Sequence, residues 1–172
     1  MRAIGKGSLS SILAIGLHIT RVILWIMLGA VTLALIILPF APVIADIFAG
    51  GDAVVFDGDG LVGAEDFIKV SSAFVTFAVM LFVVNRLLEI LKALRFGSPF
   101  VKENADRFRG IGYALLMGEG AKFAFGFLAL IFDADVELNM TFLSWLAIVT
   151  VFVLAEVFRE GARMKEEQDL TV

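Results

Sequence analysis

Four apolar blocks, at residues 12–40, 67–91, 111–132 and 140–158, constrain every fold this chain can adopt. Each is about as long as the ~20-residue helix that crosses a ~30 Å hydrocarbon layer. Charged segments separate them, so the apolar residues are gathered rather than scattered. The chain is 60% hydrophobic over 172 residues, with a mean hydropathy of +0.95. A soluble domain usually has about half its residues apolar. Seventeen Phe suit lipid-facing surfaces. The sequence predicts an all-α integral membrane protein: a four-helix transmembrane bundle running up-down-up-down, one membrane domain over residues 1–172, with the lipid bilayer as its first partner.

The first block exceeds the apolar core of a cleaved signal peptide, which is about 7–15 residues, so it is expected to persist as a helix. A helix from Ser8 to Phe40 would outrun the hydrocarbon core, placing its first turns in the interface or tilting it. Pro39 and Pro42 mark its far end. Orientation follows from the basic residues. Arg2, Lys6, Lys92, Arg95, Lys102, Arg107, Arg109, Arg159, Arg163 and Lys165 all fall on one side, and the loops at 41–66 and 133–139 hold no Lys or Arg. Such an excess in short loops marks the cytoplasmic face. Both termini, the connector at 92–110 and the tail at 159–172 are therefore expected inside a bacterial cytoplasmic (inner) membrane, and both acidic loops outside.

The densest set of specific residues lies at Arg95–Gly112, RFGSPFVKENADRFRGIG. Gly97 can take the left-handed position that ends the second span. Ser98 can cap a new helix with Pro99 at its first position, where the missing N–H costs nothing. Phe100–Arg109 is then expected as a short interfacial helix, with Phe100, Val101 and Phe108 dipping into the membrane. Gly110 and Gly112 would allow a bend into the third span.

This connector, with the ending AEVFREGARMKEEQDLTV, resembles the two signature regions of a bacterial membrane-protein family designated domain of unknown function 2975. The first pattern is a Gly-x-Pro-Phe followed by Asn and a basic helix, matched by Gly97, Pro99, Phe100 and Asn104. The second is a Phe-Arg-x-Gly with an acidic Asp-Leu-Thr-Val-like end, matched by Phe158, Arg159, Gly161, Glu167, Asp169, Leu170, Thr171 and Val172. The resemblance implies four spans and carries no established activity. Genes of its members commonly lie beside those for small helix-turn-helix regulators, which implies a cytoplasmic regulatory protein as partner. The residues expected to hold it are Gly97, Pro99, Phe100, Asn104 and Arg107, with Arg159, Gly161, Glu167, Asp169 and Leu170.

Charge inside the membrane is the other conspicuous feature. Glu119 and Lys122 fall near the middle of the third span, where each unpaired would cost about 2.5–3.5 kcal/mol. At i and i+3 they share a helix face and can pair. Ala114, Gly118, Lys122 and Gly126 recur every four residues, a stripe suited to packing against another helix. The pair reads either as a structural clip or as the lining of a polar cavity. His18, Arg21, Arg86, Glu89 and Glu156 lie toward the cytoplasmic ends of their spans and could form a polar ring there.

The outer loop, VFDGDGLVGAEDF, sets Asp57, Asp59 and Asp66 at three positions of an EF-hand-like spacing. Val55 replaces the first acidic ligand and the incoming helix is missing, so a solvated acidic loop is the default and no metal site is expected. With no Cys, thiolate chemistry and disulfides are excluded. No Ser/His/acid set and no phosphate-cradling Gly loop stands out, so neither an enzyme nor a cofactor is expected, nor direct contact with nucleic acid. Two function classes remain. One is a membrane adaptor or sensor acting through the connector and tail. The other is a small transporter or channel-like protein using Glu119 and Lys122, for which a homo-oligomer would supply the missing spans.

Overall fold

Four long helices follow one another: α1 Leu9–Ile37, α2 Ala64–Phe96, α3 Lys102–Ile131 and α4 Phe142–Asp169, with a 3-10 turn at Leu38–Phe40 after α1. The structure, a computed structural model, describes residues 9–41, 43–44, 63–96, 99–136 and 141–170, and no strand occurs among them. All four helices are long and apolar enough to cross a membrane. α2, with 33 residues, extends about 50 Å, well beyond a ~30 Å hydrocarbon core. Helix therefore continues past the apolar blocks, and most visibly so in α4, where the charged tail is helical to Asp169.

The helix ends have local causes. Gly63 opens α2, and the Asp66 carboxylate accepts the Gly63 N–H at 3.0 Å, the reaching-back half of a capping box. α3 ends with Asp133 in the left-handed region (φ 50°) while the Ala134 N–H returns to the Ala129 carbonyl at 2.9 Å. That is a Schellman ending, with Asp in the place usually taken by Gly.

Each helix packs on the next in sequence. Leu24 of α1 meets Leu81 and Val84 of α2, flanked by Leu17, Leu28, Phe77 and Leu88. Between α2 and α3, Val79 closes over Gly118, its methyls 3.5 Å from where a Cβ would stand. Between α3 and α4, as one side advances from Phe108 to Tyr113 to Phe123, the other retreats from Phe158 to Phe152 to Trp145. The up-down-up-down order is thus present, but no extensive packing joins α1 to α4. The array is open on that side. In lipid no hydrophobic force drives closure, because Leu in hydrocarbon is as well solvated as Leu against Leu. Ile26, Met117, Leu130 and Phe142 accordingly lie exposed.

Candidate functional site

At the connector end the two recognisable segments fold onto each other. The Phe100 ring lies over Gly161, with no room for a side chain between them. It also packs on Phe158 at 5.5 Å between ring centroids, and Phe108 packs on the same ring at 4.9 Å. One turn further along α3, a Cβ at Gly112 would stand 2.8 Å from the edge of Phe152. These glycines permit close approach rather than bending.

A polar chain runs beneath the rings. Asn104 is fully buried. Its amide N–H donates to the Pro99 carbonyl at 2.9 Å, and its Oδ1 accepts from Arg107 at 2.7 Å. Arg107 continues to Glu89 at 3.3 Å, and Arg86 donates to the same carboxylate oxygen at 2.8 Å. The chain ties the connector to α3 and α3 to α2. Such charge-assisted links are among the stronger hydrogen bonds.

Two expectations are corrected here. The connector does not form a separate interfacial helix with a bend at Gly110 and Gly112. α3 runs unbroken from Lys102 to Ile131, because Gly112 is packed under Phe152 and Gly110 lies beside Phe82. Nor does Pro99 occupy a first helical turn. Val101 is the N-cap and has no side-chain cap bond; Asn104, folding back on Pro99, holds the approach instead. Gly97 and Ser98 lie outside the described residues.

Beyond the clamp, α4 continues as an exposed rod. Arg159 pairs with Glu156, Arg163 with Glu160 at 2.6 Å and with Glu167 at 3.5 Å. Asp169 ends the helix, no basic residue lies in the last turn, and Leu170 is 86% exposed. The expected ring of polar groups divides in two. His18, Arg21, Asn85, Glu89, Lys92 and Arg95 line a groove of about 510 Å³ between α1 and α2. Glu156 belongs to another, of about 230 Å³, with Asp106, Arg109 and Arg159.

At mid-span, Lys122 donates to Glu119 at 2.7 Å, as the i, i+3 spacing predicts. Glu119 is buried, and the stripe Ala114, Gly118, Lys122, Gly126 is half-buried along its length. Of the loop acids, Asp57 and Asp59 lie outside the described residues, and Asp66 serves as the cap of α2. Among the described residues no three acidic or His side chains converge as a metal site would require. The mutual packing of connector and tail was not legible beforehand; the only hint was two aromatic-glycine patterns, Gly-x-Pro-Phe and Phe-Arg-x-Gly, on the same side.

Four apolar helices with an internal ion pair and charged ends define a multi-pass helical membrane protein. Residues 67–172, more than half of the chain, match the family described as "Protein of unknown function (DUF2975)", and the chain belongs to that family. The match begins at the start of α2, so it covers the helices joined by the clamp and leaves out α1. No curated protein and no solved structure matches the chain.

Proposed function

We propose that this protein is a non-enzymatic membrane adaptor of the bacterial inner membrane, whose connector and α4 extension face the cytoplasm and hold a soluble, basic partner. The observation that carries the reading is the clamp of Phe100 on Gly161 and Phe158. It supports a rod set at a fixed angle rather than a loose tail. Its acidic C-terminal turn is a second support. Glu166 and Asp169, beside the Arg163-paired Glu167, crowd the negative end of the α4 dipole, an arrangement that costs helix stability and that a cationic surface would relieve. A basic partner turns that cost into attraction and speeds its own encounter. A small helix-turn-helix regulator, as the family resemblance implies, has this character. Buried Asn104 and half-buried Arg107 then act by positioning the rod, while Arg159, Glu167, Asp169 and Leu170 meet the partner.

The test is affinity purification from mild detergent at modest salt. Intact protein, protein lacking 163–172, and a Glu166→Lys, Glu167→Lys, Asp169→Lys variant are compared, with retained proteins identified by mass spectrometry. A basic DNA-binding protein held by the intact chain and lost from both variants is the expected result. Absence of any tail-dependent partner in repeated trials would end the adaptor reading.

A further inference from the structure

Beside the Glu119–Lys122 pair, α2, α3 and α4 enclose a half-open cleft of about 280 Å³. Its walls are mostly apolar, from Val79, Met80, Leu115, Ala147 and Ile148, with the Thr76 and Ser144 hydroxyls and the ion pair as the polar part. Glu119 holds Lys122 through Oε1. Its Oε2 is buried with no protein hydrogen-bond partner among the described residues, on a side chain only 8% exposed. A buried carboxylate oxygen left without a donor is costly, and native proteins seldom leave one so.

We propose that this cleft binds a small, neutral, largely apolar molecule carrying one hydroxyl, taken from the membrane, whose hydroxyl donates to Glu119 Oε2. A neutral donor fits better than a cation. Lys122 already balances the carboxylate, and a second positive charge would bring net charge into the hydrocarbon layer. An apolar body fits the walls, and a cavity of about 150 Å³ suffices for benzene, so this one takes a ring with a substituent. A few well-placed polar groups in an apolar cleft between helices are the usual makings of a small-molecule site. This inference stands apart from the adaptor reading, since it concerns mid-span residues that the connector and tail do not touch.

The experiment is photolabelling of the purified full chain in detergent with a benzyl alcohol bearing a diazirine on its ring, followed by peptide mapping. Label is expected at Val79–Met80 or Ala147–Ile148. Unlabelled benzyl alcohol should then compete about tenfold better than benzyl methyl ether at equal concentration in the detergent phase. The ether keeps the ring and the oxygen but has no hydrogen to give. In Glu119→Gln, whose amide presents hydrogens of its own, that preference should fall to near equality. Equal competition by alcohol and ether in the unaltered protein would overturn the proposal without recourse to any variant. So would label spread over outward-facing Met117 and Leu130, or no label at the cleft, which would leave it a site for water only.

Discussion

The ring of Phe100 covers Gly161 so closely that residue 161 has no space for a side chain. Overpacking of this kind costs about 1–3 kcal/mol, while the better helix propensity of Ala over Gly returns at most about 1 kcal/mol. Gly161→Ala should therefore lower the unfolding midpoint in detergent. Gly120 supplies the control, because a Cβ there meets nothing within 4 Å. Gly120→Ala should leave the midpoint unchanged or raise it, and adding Phe100→Leu to Gly161→Ala should restore part of the loss. Equal shifts for the two glycine changes would rule out the clamp.

Asn104 sits at the start of the polar chain and spends its amide on Pro99 and Arg107. Asn104→Leu keeps the branched outline in a larger side chain, and takes the donor from the Pro99 carbonyl and one acceptor from Arg107, which retains Glu89; the loss is about 2–3 kcal/mol. Asn104→Asp keeps the acceptor for Arg107 and loses the donor to Pro99, so it should fall between wild type and the Leu variant. Unfolding followed by circular dichroism checks the order. A Leu variant as stable as wild type would mean that this chain does not hold the connector.

The mid-span pair makes a different prediction, because its members depend on each other. Lys122→Met alone leaves Glu119 buried without its cation, a loss of about 3 kcal/mol. Glu119→Gln alone leaves the ammonium facing a neutral amide. The double variant removes the mismatch, so it should lose less than the two singles added together, by about 1–2 kcal/mol of coupling. Strict additivity in a thermal-unfolding cycle would show that the 2.7 Å contact contributes nothing.

What the sequence made legible follows from what has a period or a sign. The four spans could be read because apolar runs of that length have one outcome in a bilayer. The Glu119–Lys122 contact could be read because i, i+3 geometry is local. The continuity of α3 could not, since Gly110 and Gly112 look the same whether they bend a helix or admit a neighbour. Only the distant Phe82 and Phe152 decide between those uses. The contact of Phe100 with Gly161 joins residues far apart in the chain, and no spacing rule reaches across that distance. The open side between α1 and α4 was hidden for a related reason: hydrophobicity says that a helix enters lipid, not which neighbour it keeps.

The orientation of the array is set by charge, and the absence of Cys from the chain makes it directly readable. Lys and Arg cluster at the connector and tail, whereas the turn after α3 carries Asp133 and Asp135 and no basic residue. By the positive-inside rule that turn is expected to face away from the cytoplasm. Asp135 and Met164 are both exposed, at opposite ends of the α3–α4 hairpin, so single cysteines there report each side without disturbing the packing. With a membrane-impermeant maleimide on intact spheroplasts, Asp135→Cys should label at once and Met164→Cys only after lysis. The reverse pattern would put the connector and the α4 rod outside the cell, where no cytoplasmic regulator could reach them, and the adaptor reading would fall with the topology.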